Sequence, residues 1–175
     1  MMKTKKLILA GPFTALGVVL PVLFHSIPNA GSILLPMHLP VLLCGLVCGW
    51  YYGAACGILT PILSSVITAM PPAAILPSMI CELAVYGLLA GLLFAFIKTG
   101  KVAADLYISL IGAMLAGRVV YGVLNALIFQ AGSYSFSAWL TASFVTALPG
   151  IVIELALIPA IVLILRRAKL VPARA

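Results

Sequence analysis

Charge is what this sequence has least of. Only 7% of its 175 residues are charged, and just three are acidic, against 65% hydrophobic residues and a mean hydropathy of +1.30. Soluble domains carry roughly a quarter charged residues, so that class is excluded. The sequence also lacks a G-x-x-x-x-G-K-[ST] phosphate loop and any acidic pair set beside a nucleophile or metal partner, so it carries no apparatus for hydrolysing a nucleotide. Cys44, Cys48, Cys56 and Cys81 lie in apolar stretches with no His or carboxylate completing a ligand set. They read as free packing thiols, and no metal or other cofactor is expected. No long internal repeat is visible, which weighs against the inverted-repeat carriers.

What is present is apolar length. At roughly 20 residues per span, the chain accommodates six membrane helices with short loops and no room for a separate nucleotide-binding or catalytic domain. The runs fall at about 7–25, 33–50, 53–69, 74–97, 102–129 and 138–165, one domain over residues 1–175. The fold expected is an all-α integral membrane protein, a compact bundle of six transmembrane helices. The first run is longer than the apolar region of a signal peptide and continues into further spans, so it reads as a retained helix. Trp50, Tyr51 and Tyr52 form an aromatic belt. The expected turns are Ser26 to Gly31, Met70-Pro71-Pro72, Lys98-Thr99-Gly100-Lys101 and Gln130 to Ser135.

The net charge of +7 would suggest nucleic acid in a soluble protein. Here the basic residues flank apolar runs instead. Lys3, Lys5, Lys6, Lys98, Lys101, Arg166, Arg167, Lys169 and Arg174 all come to one side of the membrane, and the three loops of the other side hold no Lys or Arg. By the positive-inside rule both termini are expected in the cytoplasm.

Arg118 is the one basic residue that no flank or loop explains. A guanidinium at bilayer depth costs at least about 2.5 kcal/mol, so it persists only where something polar answers it. Arg118, Tyr121 and Asn125 follow i, i+3, i+7 on one face of the fifth span, and Glu82 and Tyr86 follow i, i+4 on the fourth. At about 1.5 Å per residue, these groups and His38 fall between mid-bilayer and the outer surface. Two polar stripes in one leaflet point to a cavity opening outward. A purely structural Glu82–Arg118 ion pair is the alternative, and Glu154 is a second candidate counter-ion. The neutral company of Tyr86, Tyr121, Asn125 and His38 suits a small polar ring compound that needs stacking and hydrogen bonds.

Glycines recur every four residues at 45, 49, 53 and 57, and again at 87 and 91, a spacing that lets helix backbones approach in lipid. Packing inside the bundle is the simplest use of them. Gly11 and Ala15, flanked by Ala10 and Thr14, differ in lying on the first helix near its basic end, where a second protein could dock.

Taken together, Leu35-Pro36-Met37-His38-Leu39-Pro40-Val41, the stretch Gly53 to Ser65, Met70-Pro71-Pro72, Glu82-Leu83-Ala84-Val85-Tyr86-Gly87, and Gly117-Arg118 with Asn125 resemble the substrate-specific S components of energy-coupling factor (ECF) vitamin transporters. The resemblance covers nearly the whole chain. It implies a membrane-embedded, high-affinity binding subunit in a prokaryotic plasma membrane, working with a transmembrane coupling subunit and two cytoplasmic ATPases. It further implies that Ala10, Gly11, Thr14 and Ala15 face the coupling subunit, with Pro12 introducing a kink there, and that the subunit topples in the membrane to deliver its cargo.

Arg118, Glu82, Tyr86, Tyr121, Asn125 and His38 are then the expected substrate contacts. A pyridoxine-like compound, a pyrimidine or thiazole precursor, or the small carboxylate pantothenate would suit them, and the ring compounds are favoured. The rival reading is a self-contained proton-coupled carrier or channel gated by Arg118 and Glu82.

Overall fold

A computed structural model describes residues 3–24, 29–130 and 134–168. The expected turn residues at 26–28 and 131–133, and the basic residues Lys169 and Arg174, lie outside the described residues. Within them the chain is helical and without strands, as a backbone in hydrocarbon must be when water cannot satisfy its polar groups. Six helical stretches are long and apolar enough to cross a membrane. Large apolar side chains face outward, with Val66 80% and Phe96 76% exposed, while Glu82, Arg118 and Glu154 are 2%, 8% and 1% exposed. An apolar exterior with the few charged groups of the spans turned inward is the arrangement lipid favours.

Helix α1 (Lys3–Leu23) runs unbroken through Pro12 and Pro21. A short α2 (Ala30–Leu34) and α3 (His38–Cys48) share the second apolar run, divided at Leu35. Leu35 takes a left-handed conformation with φ of 51°, sparsely populated for a leucine, and is buried there. Helix α4 (Trp50–Thr68) follows at once, because Gly49, with φ of 99° and ψ of 167°, turns the chain in a region only glycine adopts readily. Helices α5 (Leu76–Phe96) and α6 (Val102–Leu124) come next, the latter continuing as a π-helical turn over Asn125–Phe129.

The last apolar run, read from sequence as one span, is also divided. Helix α7 (Phe136–Leu140) passes into a π-helical segment, Thr141–Thr146, and then α8 (Leu148–Arg167) forms the span proper. Pro149 sits in the first turn of α8, where its missing N–H costs nothing. Ser135 caps α7, its Oγ accepting from the Ala138 N–H at 3.2 Å.

Helix α5 is central and packs against α3, α4 and α6, while α1 lies on α3 and α4, and α8 on α2, α3 and α6. The glycine spacing is spent on this packing. A Cβ at Gly53 would collide with the Gly87 carbonyl, one at Gly57 with the Leu83 carbonyl, and one at Gly91 with the Trp50 backbone. The alternating helices bring Lys5, Lys6, Lys98, Lys101, Arg166 and Arg167 to one end of the bundle. There the Arg166 guanidinium lies 5.9 Å over the Phe94 ring. Asp105, buried in the first turn of α6, accepts from the Thr99 N–H at 2.8 Å and the Thr99 hydroxyl at 2.7 Å, fixing the loop before α6.

Candidate functional site

The polar residues of α5 and α6 meet away from the basic end. Glu82 Oε1 lies 3.1 Å from Arg118 Nη1 and accepts from the Tyr86 hydroxyl at 3.1 Å. Glu82 is therefore the counter-ion of Arg118. Glu154 makes no ion pair among the described residues, although it is within electrostatic reach of Arg118, Glu82 and Tyr86.

His38 opens α3 beside this pair. Its Nε2 is 3.9 Å from Glu82 Oε2, too long for a hydrogen bond, and its ring meets Tyr86 edge-on with centroids 5.3 Å apart at 61°. Asn125 is buried, and its amide nitrogen donates to the Tyr121 carbonyl at 2.8 Å, one turn back along its own helix. Tyr121 is half-buried and lies within electrostatic reach of Glu82 and Arg118. All six residues expected to form the polar cluster thus belong to one neighbourhood on α3, α5 and α6.

Gly117 explains how Tyr86 reaches its place, because a Cβ there would run into the Tyr86 ring. The glycine before Arg118 is the seat on α6 for the tyrosine that buttresses Glu82.

The arrangement is well held on one side and unfinished on the other. Both ring nitrogens of His38, Nη2 of Arg118, Oδ1 of Asn125, the Tyr134 hydroxyl, Oγ of Ser143 and both carboxyl oxygens of Glu154 are buried without a hydrogen-bond partner among the described residues. Native proteins leave few such atoms, because each costs about 1–3 kcal/mol. Those of His38, Arg118, Asn125, Tyr134 and Glu154 lie around one ion pair, and two of the atoms, on Asn125 and Ser143, sit in the π-helical turns. Such turns are frequent where a helix must present a group to a ligand. The residues fit a small polar organic molecule, and no group of His, Cys, Asp and Glu among the described residues has metal-site geometry.

Three contributors are not apparent from sequence. Trp139 donates its indole N–H to the Arg118 carbonyl at 2.9 Å and lies against Gly122, where a Cβ would strike the indole. It ties α7 to α6 at the level of the arginine. An amphipathic Trp near a span end reads as a belt residue, so only the small residue at 122 hints at a seat. Ser143 and Tyr134 carry unpartnered hydroxyls on segments that read as a helix interior and a loop.

The residues expected to dock a partner lie elsewhere, on α1 where it borders α4. Gly11 and Ala15 are exposed, and no atom lies within 4 Å of a Cβ placed on Gly11. Thr14 turns inward, donating to the Ala10 carbonyl at 3.0 Å and contacting Cys56 Sγ at 3.4 Å. The four residues line an apolar groove of about 550 Å³ shared with Ala55, Cys56 and Leu59 of α4.

Residues 5–162 match the family described as the substrate-specific component of the ECF transporter. No curated protein and no solved structure matches the chain. The match spans the five long helices α1 and α3–α6 and most of α8, and with them every residue of the polar cluster. This chain belongs to the family of ECF transporter substrate-specific components, a multi-pass membrane subunit that binds a substrate for transport and is not an enzyme.

Proposed function

We propose that this chain captures a vitamin or vitamin precursor, a pyridoxine-like, pyrimidine, thiazole or pantothenate compound, at the Glu82–Arg118 cluster of a prokaryotic plasma membrane. The unpartnered buried polar atoms around that ion pair carry the reading. An ion pair serving structure alone has no need of them, whereas a ligand with several donors and acceptors satisfies them on binding. Arg118, Glu82, Tyr86, Tyr121, Asn125 and His38 are the contacts. Tyr86 and His38 offer ring edges and faces, Arg118 a charged donor, and Asn125 a free acceptor.

Uptake then requires other chains. A transmembrane coupling subunit docks along Ala10, Gly11, Thr14 and Ala15, where exposed small residues beside an apolar groove allow close helix approach. Two cytoplasmic ATPases supply the energy. The basic end faces the cytoplasm, and the whole subunit topples to carry its cargo across. The end that would pass through lipid carries no Lys or Arg in its sequence, which keeps that movement affordable.

Reconstitution tests the scheme. The chain alone in liposomes is expected to bind ligand without accumulating it, and addition of the coupling subunit, the ATPases and ATP is expected to start uptake. Uptake by the chain alone under a proton gradient would instead establish a self-contained carrier.

A further inference from the structure

Among the described residues, Glu154 is the one carboxyl group of the cluster left without a partner. Both carboxyl oxygens are buried and without partners, whereas Glu82 is held by Arg118 and Tyr86. Glu82 and Glu154 each sit about two turns into helices, α5 and α8, that start at the same end of the bundle, so they share a depth. Arg118 is shared electrostatically by both but is bonded only to Glu82. The other Lys and Arg side chains of the described spans lie at the opposite, basic end. Ionised, Glu154 adds a negative charge that no described residue compensates, and a low-dielectric interior tolerates it only when a cation or proton meets it; in the empty site the carboxyl keeps its proton.

The unused hydrogen-bonding capacity is mixed. The two Glu154 oxygens and Asn125 Oδ1 accept, Arg118 Nη2 is an obligate donor, and His38 and the hydroxyls of Tyr134 and Ser143 can donate or accept. A matching ligand presents N–H donors at one edge and an acceptor toward Arg118.

Resting on the binding-subunit reading above, we propose that Glu154 selects the substrate, a compact nitrogen heterocycle whose cationic N–H edge faces this carboxylate. An amino-azine that is neutral in water takes up the proton that the unpartnered carboxyl holds in the empty site, so the bound pair is azinium with carboxylate. A small carboxylate such as pantothenate is rejected, since it brings a negative charge to a site whose one cation, Arg118, is already paired with Glu82.

The test uses the full chain purified in detergent, with monodispersity checked, and four probes: an aminopyrimidine alcohol, its analogue with hydrogen in place of the amino group, pyridoxine and pantothenate. Wild type is expected to prefer the aminopyrimidine over its deaminated analogue by about 100-fold. In Glu154→Gln that preference falls to within about fivefold, because the amide carries no charge. Without ligand, Glu154→Gln is expected to melt no lower than wild type, since it removes a buried carboxyl that has no partner; a marked loss of Tm would show a structural partner for Glu154 and overturn the proposal. Survival of the full preference in Glu154→Gln also overturns it. Binding of pantothenate alone, lost in Arg118→Ala, overturns the role of Glu154 while sparing the binding-subunit reading. Failure of all four probes to bind overturns the role of Glu154, whereas uptake by the chain alone under a proton gradient overturns the binding-subunit reading.

Discussion

Two faces of α5 lie one residue apart and are built on opposite terms. Along Leu83, Gly87 and Gly91 the backbone meets α3 and α4 so closely that a single added carbon would strike a carbonyl or another backbone atom. Along Glu82 and Tyr86 the same helix meets α3 and α6 through a carboxylate, a hydroxyl and a guanidinium, with unpartnered polar atoms around them. In lipid no hydrophobic force pulls helices together, so close packing must supply much of the stability. Confining that packing to one face leaves the other free to keep buried polar groups unsatisfied, at a cost the first face offsets. Substitutions on the glycine face should therefore damage the fold, and those on the polar face the ligand.

The sharpest break of this contrast is Gly87→Leu. Overpacking a core typically costs about 1–3 kcal/mol, and here the obstacle is the Gly53 backbone rather than a movable side chain. The expected result is loss of monodisperse protein on size-exclusion chromatography, with or without ligand.

Next comes the ion pair. Glu82→Leu or Arg118→Met alone leaves a buried charge and should destabilise by about 3–5 kcal/mol. The double variant should return to within about 1 kcal/mol of wild type in detergent melting, since a buried pair replaced by apolar groups is often neutral. Binding should be absent in all three. Recovery of binding by the double variant would make the pair dispensable and break the contrast.

Gly117→Ala probes the boundary between the two faces. It displaces the Tyr86 ring without touching a charge, so an affinity loss of about tenfold, about 1.4 kcal/mol, is expected with a small change in melting. Trp139→Phe removes one hydrogen bond to the Arg118 carbonyl. About 1 kcal/mol of stability and a few-fold of affinity should go with it. Ala15→Leu, on the exposed side of α1, should leave binding unchanged and lower transport by the assembled complex.

The fold was legible because lipid imposes a simple rule: long apolar runs separated by Pro, Gly and basic residues become spanning helices. The breaks inside two runs were not legible. Leu35 adopts a left-handed backbone that its residue type disfavours, and the division before α8 follows from Pro149 and a π-helical segment that no periodicity announces. The polar cluster could be read from i, i+3, i+4 and i+7 spacing because polar residues in apolar runs are few. Which glutamate pairs with Arg118 depends on how α5, α6 and α8 are arranged around it, and sequence carries no such distance. Asp105 was overlooked because it lies in the first turn after a basic loop, where it serves the Thr99 backbone rather than the cluster. Trp139 escaped notice because its role depends on meeting Gly122 across two elements.

The most direct test of the site is the affinity of Arg118→Ala for the ligand that copurifies with the wild-type chain, identified by mass spectrometry and measured on monodisperse protein. A loss of at least about 100-fold, about 2.7 kcal/mol, is predicted, because the variant removes the charged donor and leaves Glu82 without its counter-ion. Unchanged affinity in a folded Arg118→Ala protein would place the ligand elsewhere and contradict the account.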